Sequence, residues 1–184
     1  MKHFFLHAAL SLSLMGAAQA QNANGHFSMR YSGGVAETNL EAFCRAQLPK
    51  LCEGTTFEVI SDETTRQGVR HVTMQQYVDG VLVNGKTMSI HMRDGKILSI
   101  DGSVMTQEQV APASNMRRAP RPAAEVMRMA GLPERLAKKA ELVVTEKDGE
   151  AHQAYRVVNG WYRMLIDAHT GEVLAKKSII LNWG

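Results

Sequence analysis

Catalytic signatures are missing from this 184-residue sequence. It has no H-E-x-x-H pair for a zinc peptidase, no G-x-S-x-G nucleophile elbow and no glycine loop of the kind that cradles phosphate. Carboxylate neighbours such as Asp62 and Glu63 fall in a polar stretch, Ser61 to Gly68, read as a turn where solvation accounts for them. Charge of one sign is also missing. With 21 basic against 18 acidic residues the formal net charge is +3, which gives no electrostatic footprint for nucleic acid or an anionic membrane. No segment reaches eighteen consecutive apolar residues, so no membrane insertion is expected. Cysteine is nearly absent, with 2 residues.

What is present begins with an export signal. Lys2 opens the chain, Phe4 to Met15 is an apolar core too short to span a bilayer, and Ala18-Gln19-Ala20 is an A-x-A cleavage site. Residues 1–20 are therefore read as a signal peptide, the mature chain as starting at Gln21, and its location as periplasmic or extracellular. In such an oxidising compartment Cys44 and Cys52 are expected to form a disulfide. A continuous helix would hold their Cα atoms roughly 12 Å apart, so the helix carrying Cys44 must end first, and Pro49 is placed to end it. In the chain-entropy model so short a loop contributes roughly 2.6 kcal/mol. A redox pair lacks the C-x-x-C spacing, and a metal site lacks ligands.

The most patterned run is Arg70 to Gly102. Asp79-Gly80 and Asp94-Gly95 each separate alternating strands, the first between Val72, Met74 and Val81, Val83, the second between Met88, Ile90, Met92 and Ile97. Asp-Gly at such a position supplies the positive φ that a tight hairpin needs. A polar stretch, Gln21 to Gly34, comes first, read as loose or as one edge strand. A helix follows in which Thr38 and Glu41 form a capping box and Leu40, Phe43, Cys44 and Leu48 repeat at helical spacing. Phe57 to Ile60 is read as a strand. Prolines at 112, 120 and 122 mark a Pro/Ala/Arg linker over 107–121. Beyond it come a helix from Pro122 to Ala130, a further turn within Leu132 to Lys139, and strands at Leu142–Glu146, Gln153–Val158, Tyr162–Asp167 and Glu172–Ile180. The fold class expected is α+β, with two small units, 21–106 and 122–184, each a helix on an antiparallel sheet.

Five of the 7 histidines, His26, His71, His91, His152 and His169, lie beyond the signal. None shares a metal-binding spacing with a second ligand, so each is expected to be exposed or hydrogen-bonded, and no metal, cofactor or catalytic residue is assigned.

The set His71, Val72, Gln75, Gln76, Gly80, Val81, Val83, Gly85, His91, Gly95, Lys96, Ser99 and Gly102 resembles the fungalysin/thermolysin propeptide motif. The run Ile166-Asp167-Ala168-His169-Thr170-Gly171-Glu172-Val173-Leu174, with Tyr155-Arg156-Val157 before it, looks like the PepSY domain that follows that motif in precursors of thermolysin-like proteases. The resemblance covers most of 55–180 and implies cystatin-like and PepSY-like units that inhibit a zinc metallopeptidase and template its folding. The sequence ends at Gly184, where the protease would begin, so the expectation is a non-enzymatic protein acting in trans on a thermolysin-like partner, or a remnant of a precursor. The other reading is a PepSY-type envelope module that binds something else.

A pro-region works by surface complementarity. Ile180, Leu181 and Trp183 are candidates to enter an apolar substrate cleft, the other reading being that Ile179 and Leu181 complete the last strand. Gln75, Gln76 and the Asp79-Gly80 turn either meet the protease or satisfy hairpin backbone, and the structural role is favoured.

Overall fold

The computed structural model describes residues 18–19, 25–48, 50–111 and 113–179. Most of the expected signal peptide, both Pro49 and Pro112, and the tail residues Ile180, Leu181 and Trp183 lie outside the described residues. Strands dominate. They are β1 (Ala18–Gln19), β2 (His26–Ala36), β3 (Thr55–Thr64), β4 (Val69–Val78), β5 (Val81–Arg93), β6 (Lys96–Ser103), β7 (Glu141–Lys147), β8 (Glu150–Asn159), β9 (Tyr162–Asp167) and β10 (Val173–Ser178). The helices are short: α1 (Leu40–Gln47), α2 (Gln107–Val110) and α3 (Ala123–Met129), with 3-10 turns at Ser114–Arg117 and Glu134–Lys139. Among the described residues no helix is long and apolar enough to cross a membrane.

The ten strands form one mixed sheet in the order β1-β2-β6-β5-β7-β8-β9-β10, with β4 and then β3 branching from β5. Every pairing is antiparallel except β5 to β7, where Val83 is in parallel register with Val144. Two separate helix-on-sheet units, expected from the sequence, are not confirmed, because the sheet runs through both halves. A core cluster at their junction joins Cys52, Val78, Val83 and Met105 to Ala113, Val144 and Ala151. The segment read as a linker carries α2 and a 3-10 turn, and its Ala113 is buried in that same cluster.

The Asp-Gly turns form as their chemistry requires. Asp79 and Gly80 have φ of 49° and 76°, and Asp94 and Gly95 have 50° and 72°, a pair of left-handed residues at each tight turn. Ser61 to Thr64, expected in a turn, instead extends β3, because the Asp62 carboxylate accepts from Arg70 Nε at 2.7 Å and Nη2 at 2.6 Å and holds the strand ends together. The helix start also moves. The Glu37 carboxylate accepts from the N–H groups of Thr38 and Asn39, so Asn39 becomes the cap of α1 and accepts from Ala42 N–H at 3.0 Å.

β5 carries the main departure from a plain hairpin. Tyr77 pairs with Leu82, yet Gln75 pairs with Thr87, so Val83, Asn84, Gly85 and Lys86 stand opposite Gln76 alone. Gly85, at φ 73°, permits that bulge. Gln75 Nε2 donates to the carbonyls of Gln76, Val83 and Lys86 at 3.0, 2.7 and 2.9 Å, satisfying backbone that the ladder has abandoned. Gln76 turns the other way: its Oε1 accepts from Met105 N–H at 2.6 Å and its Nε2 donates to Met105 C=O at 3.1 Å. Both glutamines are buried. Their structural role is what the geometry displays.

The expected disulfide does not form; Cys44 and Cys52 are free thiols. Cys44 lies on the inner side of α1 with Phe43, Leu48 and Ile90. After α1 ends, Leu51 bridges to Thr106 and carries Cys52 into the junction cluster, where its Sγ sits 3.4 Å from both Thr55 Oγ1 and Met105 O. Burial pushes the Cys44 thiol up to about 12, with the Glu41 charge adding to it. Burial also raises Cys52, against a lowering by its Thr55 hydrogen bond.

In the second half α3 and the Glu134–Lys139 turn pack Val126, Met127 and Leu136 on Val157, Met164 and Ile166 of β8 and β9. Asp167 then closes a turn: its Oδ1 accepts from the N–H groups of His169 and Thr170, both at 2.8 Å, and His152 Nδ1 is 3.1 Å from Oδ2. Burial alone would raise the Asp167 carboxyl, but these hydrogen bonds outweigh it and hold it below the usual carboxylate value.

Two stability outcomes follow. Gln76→Leu leaves the Met105 N–H without its Gln76 partner and its C=O with only the weak Cys52 thiol contact, and a loss of about 2–4 kcal/mol is expected in urea unfolding. Thr73→Val, on the open face, moves the midpoint by less than about 1 kcal/mol; a wild-type midpoint for Gln76→Leu would remove the clamp. Because its folded-state value is depressed, the Asp167 contribution is present above the unfolded carboxylate value of about 3.9 and fades as pH falls through the folded one. Asp167→Asn should therefore lose stability relative to wild type at pH 7, and the gap should narrow toward pH 3 in parallel urea titrations.

Candidate functional site

The two faces of the β2 to β6 region differ sharply in chemistry. One carries Phe27, Met29, Phe57, Val72, Met74, Met88, Ile90, Ile97 and Ile100, buried in one cluster with Phe43 and Cys44 of α1 and with Leu48 just after it. Side chains alternate along a strand, so the intervening residues point to the other face. Cross-strand register arranges these in rows. One row is Glu63, His71, His91, Ser99 and Arg30; the next is Ser61, Thr73, Ser89, Asp101 and Ser28. All ten are half-buried or exposed. This open face holds hydroxyls, imidazoles and charges, with no apolar side chain in either row.

At its centre His71 and His91 face each other, directly paired across β4 and β5. Their Nδ1 atoms are 2.8 Å apart and the rings meet edge to face at 86°. On the far side of the second ring, His91 Nε2 lies 3.3 Å from Asp101 Oδ1. A contact between two Nδ1 atoms requires one N–H and one lone pair. With His91 Nε2–H donating to Asp101, the network assigns the Nδ1 proton to His71 and the lone pair to His91.

The other expected site residues take structural places. Gly80 and Gly95 make the turns, and Gly85 the bulge. Val83 joins the two halves and Val81 flanks the junction cluster. Gly102, at φ 153°, has no room for a side chain, since a Cβ there would stand 2.3 Å from Thr87 O. Ser99 belongs to the open face beside His91. Asp167, Thr170 and Gly171 make the turn after β9. The sequence reading missed the proximity of His71 and His91. It also missed Lys86, whose Nζ donates to Glu146 Oε2 at 2.7 Å and Ser103 Oγ at 3.2 Å, tying the bulge to β7 and β6.

Among the described residues no three His, Cys, Asp or Glu side chains converge on one metal position. A groove of about 520 Å³ opens where the edge strand β3 parts from the start of α1, lined by Thr38, Asn39, Leu40, Phe57, Val59 and Met74. A separate exposed apolar group, Val158, Trp161 and Tyr162, sits at the β8 to β9 turn beside Ile179, whose N–H donates to Trp161 C=O at 2.8 Å. Lys176 Nζ stands 4.1 Å over the Tyr162 ring.

No curated protein sequence matches the chain. Among solved structures it is similar to the C-terminal domain of Bacillus megaterium YpeB, at 12% identity and a TM-score of 0.35, over 84% of this chain and 72% of that one. The family model of the Fungalysin/Thermolysin Propeptide Motif matches residues 55–104. That span runs from the start of β3 to the end of β6 and includes the glutamine-filled bulge, both Asp-Gly turns and the paired histidines. The likeness to the propeptide motif thus lies in residues 55–104, the segment that forms β3 to β6.

Proposed function

We propose that this is an exported, non-enzymatic protein that binds a thermolysin-like zinc metallopeptidase in trans, inhibiting it or assisting its folding, with 122–184 as a PepSY-like companion to the propeptide domain. The observation that carries this reading is the propeptide match over β3 to β6, in a sheet whose inner face is used up by its own core while the outer face stays open. A pro-region acts by covering its enzyme, and covering needs a preformed surface rather than a reactive group. The polar rows suit a broad, hydrogen-bonded contact. The apolar group at Trp161, which is 67% exposed, supplies the kind of aromatic anchor that dominates binding energy.

The tail residues Ile180, Leu181 and Trp183 remain candidates for the substrate cleft in this proposal. In this reading they engage an enzyme together with the exposed aromatic group at Trp161. Cleft occupation of this sort explains inhibition, and the sheet face explains templating.

The test is a titration of the protein, residues 21–184, against a panel of thermolysin-like peptidases. Stoichiometric loss of activity, or accelerated refolding of the denatured enzyme, is expected with at least one. Trp161→Ala and deletion of residues 179–184 should each weaken inhibition about tenfold, equivalent to about 1.4 kcal/mol. Absence of inhibition, binding and refolding assistance across the panel would overturn the proposal. Full inhibition by the deleted protein would remove the tail while leaving the sheet face.

A further inference from the structure

Independently of the protease reading, the geometry points to a divalent transition-metal site on the open sheet face, formed by Nδ1 of His71 and Nδ1 of His91 with Asp101 behind the second ring. The class of ion is borderline and imidazole-seeking, such as Cu2+, Ni2+ or Zn2+. Three features of the arrangement carry the inference. The two histidines are directly opposed in register, and their Nδ1 atoms already point at one another across 2.8 Å. Two imidazoles on one tetrahedral ion, with bonds of about 2.0–2.1 Å, hold their nitrogens about 3.3 Å apart. The rings therefore need to part by about half an ångström, and the open face gives them space: the His91 side chain is 30% exposed.

The second feature is the tautomer. Asp101 Oδ1, 3.3 Å from His91 Nε2, fixes the proton on that nitrogen and leaves the Nδ1 lone pair aimed into the gap. A carboxylate behind a histidine is the outer-shell arrangement that orients metal-binding imidazoles and raises their basicity. His71 must move its proton from Nδ1 to Nε2, after which both rings bind as neutral ligands and no net proton is lost. The ion replaces the single proton that the two nitrogens now share.

The third feature is the surrounding charge. Glu63 stands opposite His71 and Asp101 lies diagonal to His91, both on the same face. Arg30 occupies the same row but is two strands from His91, about 10 Å away at normal strand spacing. Two protein donors leave the remaining coordination positions directed outward, for water or for a donor from a bound protein. His152 contacts Asp167 and His169 contacts Gln153 instead of a second imidazole.

The test uses untagged protein titrated with Cu2+ alone, followed by calorimetry and by electron paramagnetic resonance. One equivalent is expected, with hyperfine structure from two equatorial nitrogens. His91→Ala should abolish the two-nitrogen signal, and Asp101→Asn should weaken binding by about 10- to 100-fold while retaining that signal. His71→Asn keeps a donor toward His91 and should fold normally, checked by its metal-free unfolding midpoint, yet lose the site. His152→Ala should bind as wild type. Unchanged affinity in folded His71→Asn, or no saturable one-to-one binding by the wild-type protein, would overturn the assignment, whatever the outcome of the peptidase titration.

Discussion

The structure depends on two adjacent glutamines that have nothing to do with the surface. A strand of 13 residues cannot pair with β4, β6 and β7 along a straight ladder, so β5 must bulge, and a bulge exposes carbonyls that the interior cannot leave unpaired. Gln75 fills that gap, sharing its two N–H groups among three carbonyls. Gln76, pointing to the opposite side, grips both backbone groups of Met105 and so fixes where the chain leaves β6. Without partners these groups would each cost about 1–3 kcal/mol. With them, β5 is free to bring Val83 against β7 and to make one sheet of the two halves.

The junction built on that bulge combines apolar packing with a shielded ion pair. Lys86 is mostly buried, and its ammonium is placed by Glu146 and Ser103. A pair of this kind contributes little net stability once desolvation is counted, but breaking it strands a charge, so it acts as a positional lock between β5 and β7. The thiols show the same logic of burial. Each sits in a different cluster, Cys44 beneath the sheet and Cys52 at the junction, and burial raises both thiols away from the reactive thiolate. Packing uses them as small apolar groups.

A division of labour between the two sheet faces follows. The inner face takes methionines and branched residues, which fill the irregular space under a helix of only 8 residues. The outer face is left with short hydroxyl side chains, the charged Glu63 and Arg30, and one ordered polar group, His71 with His91 and Asp101. An open sheet face of that composition stays wetted in the free protein and offers a partner fixed hydrogen-bonding positions, which fits the likeness of residues 55–104 to a propeptide motif.

Much of this was legible residue by residue. Asp-Gly between alternating runs specified both hairpins of β4 to β6, because left-handed φ at two successive positions leaves few other turns open. The strands of the second half fell close to their predicted places, and Tyr162–Asp167 matched at both ends. Helix α1 was found, but its cap moved from Thr38 to Asn39, since Glu37 reaches forward to claim two N–H groups, a side-chain event that no spacing rule encodes. The disulfide expectation failed because export and pair count speak to redox chemistry, whereas the direction of each sulfur is set by which core cluster the backbone enters.

The sequence by itself determined the local grammar: turns, alternation, the apolar face and the motif positions, all of which depend on residues within a few places of one another. Only the tertiary structure decided register. Counted from the Asp79-Gly80 turn, an uninterrupted hairpin would set His71 opposite Met88; the bulge at Gly85 adds three residues to β5 and sets it opposite His91 instead. A shift by an odd number also exchanges the faces of a strand. The pairing of the two histidines, the polarity of the open face and the union of the halves all follow from that slip. It is stabilised by Met105 and β7, which lie far along the chain from the turn that starts the hairpin.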